Sequence, residues 1–306
     1  MTVLITGATG YIGGAFARAL SADGCSAVAI GRSDQETIDF DGTASVPYRQ
    51  ATTAPEILKV IRDHDVSVIA HFATNYIGRH EPDDVESVLQ ANVCFGTAVA
   101  EAAALSNAGM ITFGTYWQYE GGTANATNSL YAATKRALDD IIDYYVASRD
   151  LRAQTMILYD VYGENDPRGK ILTLLVDAGL TGGALELSTG NQLINLTHID
   201  DVVAAARIAC TNIGNDSPRV VSVRASDFLS IRELCGQVED VLGCSIDSRW
   251  GTLSDPPAGM LQPWLIDPVL PTWHPHVTLE AGVGRLARSR GWNGSTSNSS
   301  DMGGKS

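Results

Sequence analysis

Val3-Leu4-Ile5-Thr6-Gly7-Ala8-Thr9-Gly10-Tyr11-Ile12-Gly13 is the stretch on which the fold turns. Val3 to Thr6 is a run of apolar and β-branched residues, the pattern of a short strand buried on both faces. From Ile12 to Leu20 apolar residues recur at helical spacing. Between strand and helix the glycines at 7, 10 and 13 permit a tight turn, close backbone approach to a pyrophosphate and close helix–sheet packing, while the helix N-terminus attracts the anion. A glycine triplet alone can be a plain turn. Its place between strand and helix favours a dinucleotide loop, with Gly7, Thr9, Gly10, Tyr11, Ile12 and Gly13 as candidate cofactor contacts.

The same rhythm continues outward. Ala27–Ile30 reads as a strand, Ile57, Leu58, Val60 and Ile61 as a helix face, and Val66–Phe72 as a strand. Val85–Leu105 has helical spacing, Met110–Phe113 is strand-like, and a long helix from about Ser129 to Ser148 leads to the strand Gln154–Leu158. Alternating strands and helices imply an α/β fold with a doubly wound parallel sheet. Residues 1–165 form the expected dinucleotide-binding domain, completed by parts of 190–225. Residues 166–292 form a smaller mixed α/β substrate-binding portion. In it Arg168–Leu180 and Asp200–Cys210 look helical, with short strands near Leu185, Leu193 and Val220-Val221. Prolines from Pro256-Pro257 to Pro275 mark loops, and the Gly-, Ser- and Asn-rich stretch 293–306 reads as a disordered tail.

Composition narrows the function classes. The chain has 306 residues, 44% hydrophobic and 18% charged, which excludes disorder as its main state. With 35 acidic against 21 basic residues the net charge is −14, and no basic run offers a footprint for nucleic acid. No uninterrupted apolar run reaches the roughly 18 residues a membrane span needs, and the first residues lack the basic region of a secretory leader. The five cysteines are scattered, odd in number and without C-x-x-C spacing. They read as reduced thiols of a cytoplasmic protein rather than disulfides or a zinc site.

Three further places carry chemistry. The second strand ends in Gly31-Arg32-Ser33-Asp34. An arginine there accommodates a 2′-phosphate, so Arg32 with Ser33 favours NADP(H), while Asp34 keeps NAD(H) possible. In Tyr131-Ala132-Ala133-Thr134-Lys135 the tyrosine and lysine are one helical turn apart and share a face. A nearby ammonium favours the phenolate, which would make Tyr131 an acid–base group, although such pairs also occur on any exposed helix. Thr115 ends the strand before that helix, at the edge where ligands of such sheets sit, and its hydroxyl could meet that of Tyr131 over one carbonyl oxygen.

With these pieces in order, the chain resembles the extended short-chain dehydrogenase/reductases, the Rossmann-type epimerase, dehydratase and reductase group acting on nucleotide sugars. The resemblance rests on the loop at 6–13, His71-Phe72-Ala73-Thr74, Asn92-Val93-Cys94-Phe95-Gly96-Thr97 and Thr115 with Tyr131 and Lys135. It continues through Tyr159-Asp160-Val161-Tyr162-Gly163, His198-Ile199-Asp200-Asp201-Val202 and the stretch from Trp273 to Glu280. His71 to Tyr76, Gly114 to Gln118, Gly163 to Arg168 and Asn195 to Asp201 look most like the CDP-linked 4-ketohexose reductases of the paratose- and abequose-synthase type. The resemblance implies NADPH-dependent reduction of the 4-keto group of a nucleotide-diphosphate 4-keto-6-deoxy or 3,6-dideoxy hexose. The alternatives are an NAD-dependent C4 epimerase using the same residues, or a non-catalytic dinucleotide-binding regulator, which would need a broken catalytic set.

By the same resemblance Asn92 joins Thr115, Tyr131 and Lys135 as a catalytic residue that steadies a relay water. Lys135 holds the nicotinamide ribose, and Phe72, Ala73, Thr74 and Tyr159 add cofactor contacts. Asn75, Tyr76, Tyr116, Trp117, Gln118, Asp160, Arg168 and Lys170 are candidate substrate contacts, and a homodimer through the helices of Asn92 and Tyr131 is implied. Two departures matter. An arginine that many relatives direct at the substrate pyrophosphate is replaced by Ile194, leaving Arg168 and Lys170 as the local cations. The acidic pair that dehydratases carry after the catalytic threonine is replaced by Tyr116-Trp117, which disfavours dehydration. His274 and His276 flank a proline without clustered partners and are read as structural, so no metal is expected.

Overall fold

Val3, Leu4 and Ile5 are at most 1% exposed, and a strand sealed on both faces has to lie inside a sheet covered on both sides. That strand is β1 (Thr2–Thr6). The computed structural model describes residues 1–122, 127–214, 217–256 and 261–294. After β1 come α1 (Tyr11–Ala22), β2 (Ala27–Gly31), β3 (Thr37–Phe40), β4 (Ala44–Gln50), α2 (Ala54–Asp63) and β5 (Val66–His71). Then follow α3 (Val85–Leu89), α4 (Phe95–Ser106), β6 (Gly109–Thr115), α5 (Leu130–Arg149) and β7 (Ala153–Leu158). The second part runs β8 (Asp160–Tyr162), α6 (Ile171–Thr181), β9 (Leu185–Leu187), β10 (Leu193–Ile194), β11 (Leu196–His198), α7 (Ile199–Asn212) and β12 (Val220–Val223). It ends with β13 (Leu229–Ser230), α8 (Ile231–Leu242), β14 (Ser248–Trp250) and α9 (Leu279–Ser289).

Eight strands form one sheet in the order β12-β7-β6-β5-β1-β2-β4-β3. Every neighbouring pair is parallel except β3 with β4. The chain leaves β1 toward β2 on one side and returns to β5 on the other, so the strand order reverses there and a crevice opens at the strand C-termini. Phe16, Ala17 and Leu20 of α1 pack with Val202, Ala206 and Ala209 of α7 on one face. Ile57 and Ile61 of α2, Val99 and Ala103 of α4, and Leu138 and Ile142 of α5 cover the other. A separate apolar cluster joins α6, α8 and α9 through Leu172, Leu175, Leu234, Val238, Val283 and Leu286. Together these layers make the doubly wound α/β architecture that the strand–helix rhythm implies.

Several local expectations change. Residues 37–50 form an antiparallel edge hairpin, legible afterwards in the alternation that buries Ile38 and Phe40 but exposes Thr37 and Asp39. The helix expected from Arg168 starts at Ile171, because Arg168 N–H donates to Asp166 Oδ1 and Lys170 N–H to the Arg168 carbonyl, which holds a turn ahead of it. The helical run Pro82–Ser106 reaches a mean hydropathy of 1.4 over 18 residues and is long and apolar enough by composition to cross a bilayer. Asp83, Asp84, Glu86, Gln90, Asn92 and Glu101 interrupt it, so it is not an uninterrupted apolar run. In the fold Val88, Val99, Ala102 and Ala103 of this run are buried in the core. Residues 295–306 of the expected tail, and Pro257, lie outside the described residues.

Candidate active site

The glycine loop has the shape its composition suggests. Gly7 sits at φ +69°, and a Cβ there would lie 2.6 Å from Ala73 N. A Cβ on Gly13 would collide with the Gly7 carbonyl. Gly10 is the N-cap of α1 and supplies no side-chain cap, so the first N–H groups of the helix stay open to an anion. A dinucleotide pyrophosphate fits this cradle. Thr9 is exposed on the loop and Ile12 lines the neighbouring cavity. Tyr11 lies under the Arg168 guanidinium, 4.8 Å from the ring centroid. Across the crevice Phe72 stacks on Phe113 at 4.1 Å, and Ala73 N–H donates to Thr6 Oγ1. At the end of β2 the Arg32 carbonyl accepts from Gln50 Nε2 and Ser33 N–H donates to the Tyr48 hydroxyl. The side chains of Arg32 and Asp34 are both exposed.

A cavity of about 120 Å³ opens beside this cradle. Ser129 caps α5 by accepting from Ala132 N–H, and the first turns of that helix bring Tyr131 and Lys135 to the cavity wall opposite Thr115 at the end of β6. Lys135 Nζ lies 5.9 Å from the centre of the Tyr131 ring. Burial pushes the lysine down to about 8. The phenol moves the other way from the sequence expectation. Burial pushes it well above its usual range, and the charge of Arg168 and a hydrogen bond with Thr74 offset this only in part. Thr115 Oγ1 accepts from Trp117 N–H at 3.3 Å, which leaves its own proton free to donate.

Not every candidate reaches the cavity. Asn92 is 1% exposed. Its Oδ1 accepts from Asn75 N–H and Thr74 Oγ1, and its Nδ2 donates to the Asn75 carbonyl and Thr134 Oγ1. These four bonds use the full capacity of its side-chain amide, so that amide clamps the 74–75 loop to α5 and itself has no bond to spare for the implied relay water. The Asn75 amide turns to Ser87. Gln118 is fully buried, folded under Gly114, with Oε1 bonded to Thr115 N–H; it supports the threonine from behind and is not among the residues lining the cavity.

The remaining candidates do line it. Tyr76 meets Tyr131 edge to face at 4.9 Å, and Tyr116 stacks on Tyr159 at 4.9 Å. The Tyr159 hydroxyl is anchored on the Trp264 carbonyl. Asp160 has its carboxyl raised by burial, against the pull of Lys170 and Arg168, with the Tyr116 hydroxyl 3.5 Å away. Arg168 Nε and Nη2 form a bidentate pair with Asp166, 2.7 Å for each bond. Its charge is therefore partly compensated, which the sequence reading did not foresee. Lys170 Nζ sits 5.4 Å from the Tyr76 ring centre. Asp166 and Thr134, which fix Arg168 and Asn92, were missed; both lie inside quoted motifs, but nothing local marks them as supports. His276 is held by its backbone, its N–H donating to Asp201 Oδ1.

Comparison with known proteins agrees with this geometry. The NAD dependent epimerase/dehydratase family matches residues 3–223. A CDP-abequose synthase of Yersinia pseudotuberculosis is 28% identical over 245 residues, 79% of this chain and 84% of the relative. That of Salmonella typhimurium is 26% identical over 205 residues, 66% and 68% of the two chains. Among solved structures, UDP-glucose 4-epimerase of Thermus thermophilus with NAD has a TM-score of 0.75 at 18% identity, covering 95% of this chain and 99% of that one. The Thermotoga maritima UDP-glucose 4-epimerase reaches 0.79 at 14% identity, covering 95% and 98%. With the glycine cradle, the reversing parallel sheet and the match over residues 3–223, the chain belongs to the NAD dependent epimerase/dehydratase family.

Proposed function

We propose that the protein reduces the 4-keto group of a nucleotide-linked deoxyhexose, with NADPH as the reductant. The observation that carries this reading is one cavity that joins Thr115, Tyr131 and Lys135 to an aromatic wall of Tyr76, Tyr116 and Trp117. Aromatic faces suit the apolar side of a deoxygenated sugar ring. When bound, NADPH supplies hydride. As charge develops on the carbonyl oxygen, Thr115 Oγ1 donates to it and Tyr131 delivers a proton, so a phenol that burial keeps protonated at rest is in the state a reduction needs. Tyr116 and Trp117 stand directly after Thr115, where an elimination would call for an acidic pair. The similarity to CDP-abequose synthases supports a CDP-linked substrate. Arg32 at the end of β2 supports NADPH.

The test is NADPH oxidation followed on adding a CDP-4-keto-deoxyhexose, with the product's new hydroxyl identified by mass spectrometry and NMR. Stoichiometric NAD retained through purification, with C4 interconversion and no consumption of added NADPH, would replace this reading by an epimerase. NADPH binding with no turnover across a panel of keto sugar nucleotides would replace it by a regulator.

A further inference from the structure

Behind Lys135, on the side away from the active-site cavity, lies a second and much smaller chamber of about 10 Å³. Its polar walls come from His71 on β5, Thr112 on β6, Thr155 on β7, and Lys135 and Asp139 on α5. About one water-sized sphere fits such a volume, and a buried water needs two to four polar partners. His71 is 1% exposed, and its Nε2 has no hydrogen-bond partner among the described residues. A buried ring nitrogen without a partner is rare enough to point at something that satisfies it.

The surrounding bonds decide which way the donors point. Thr6 Oγ1 accepts from Ala73 N–H and lies 2.9 Å from His71 Nδ1. Among the described residues the threonine hydroxyl has no acceptor for its own proton other than Nδ1, so that proton is assigned to Nδ1, which puts the ring proton on Nε2, facing the chamber. Thr155 Oγ1 donates to Asp139 Oδ1 at 2.7 Å and accepts from Arg219 Nη1 at 2.6 Å. Thr112 Oγ1, 2.9 Å from Thr155 Oγ1, can then only donate to it, and its lone pairs stay open. On the other side Lys135 presents an ammonium with three donors.

We propose that the chamber holds one ordered water that accepts from His71 Nε2–H and from the Lys135 ammonium and donates to Thr112 Oγ1, which makes His71 a positioning residue for Lys135. The water ties one lysine donor from behind and leaves the others for the cavity side. This gives His71, the one residue of the 71–74 motif without an assigned task, a role exerted through Lys135. The groups facing the chamber fit it: the imidazole is neutral, pushed down to about 3 by burial and by the lysine charge, and the Asp139 carboxylate is engaged by Thr155 and Arg219.

Two measurements test this without substrate, so failure of the proposed reaction leaves them unaffected. A crystal structure at a resolution that shows ordered waters should contain a single peak about 2.7–3.2 Å from both His71 Nε2 and Lys135 Nζ. A chamber without density overturns the proposal. Titration of Lys135, followed by NMR of ε-¹³C-lysine, compares His71→Phe, which keeps the ring shape without nitrogens, with His71→Gln, whose amide reaches the place of Nε2. The Phe variant should titrate at least about half a pH unit lower than wild type, a threefold change in ionisation constant, and Gln should recover most of it. A role confined to the Thr6 bond would be lost in both variants alike. Equal titration of all three proteins also overturns the proposal. If His71→Phe does not fold, the wild-type density and the Gln variant decide.

Discussion

Replacing Lys135 by methionine should stabilise the protein while abolishing its activity. The side chains are similar in length, so packing is largely kept, and the change removes a charge held where only 6% of the residue is exposed. The shift of the lysine from 10.5 to about 8 corresponds to about 3 kcal/mol of unfavourable burial when it is protonated. Below pH 8 the lysine is charged in both the folded and the unfolded chain, and the full penalty stands. Between about 8 and 10.5 the folded lysine has released its proton and the unfolded one has not, so wild-type stability rises with pH; above 10.5 the penalty is gone. Lys135→Met should therefore be more stable than wild type by about 1–3 kcal/mol at pH 7, with the gap closing toward pH 10.5. Urea unfolding of both proteins at pH 7 and pH 10, with unchanged slopes, measures the difference. A methionine variant no more stable at pH 7, or a gap independent of pH, would refute the reasoning.

Tyr131→Phe keeps the ring and its edge-to-face contact with Tyr76 but removes the transferable proton. It should lower kcat by about 10²–10⁴-fold with NADPH affinity nearly unchanged, and near-wild-type kcat under conditions where chemistry limits turnover would remove Tyr131 from the acid's role. Arg168→Ala strands the Asp166 carboxylate, whose side chain is 2% exposed. It should raise KM for the sugar nucleotide and also destabilise the fold by about 2 kcal/mol, reduced from a fully buried pair because the arginine is partly open to solvent. The double variant with Asp166→Ala, compared by urea unfolding, should recover part of that loss. For Arg32→Asp, titrations with both cofactors should show weaker NADPH binding and a relative gain for NADH; an unchanged ratio would place the 2′-phosphate site elsewhere.

The strand, glycine turn and helix at 3–20, the alternation that follows, and the one-turn spacing of Tyr131 and Lys135 could all be read from the chain. Each is a local pattern: periods of 2 and 3.6 residues report which face of an element is buried, and glycines report where backbone must approach backbone. They sufficed for the parallel sheet and for Thr115, Tyr131 and Lys135 at its C-terminal edge. Tertiary structure alone decided how each polar group spends its bonds. The side-chain amide of Asn92 is saturated by partners 17 and 42 positions away, Arg168 is compensated by Asp166, and Gln118 lies beneath the site instead of in it. It also reversed the expected direction for Tyr131, because the helical spacing to a lysine is visible in sequence but burial is not. The chamber behind Lys135 needs three strands and a helix to exist at all. Hydrogen-bond accounting and desolvation depend on everything that surrounds a group, most of it far away in the chain, and that information has no local period to betray it.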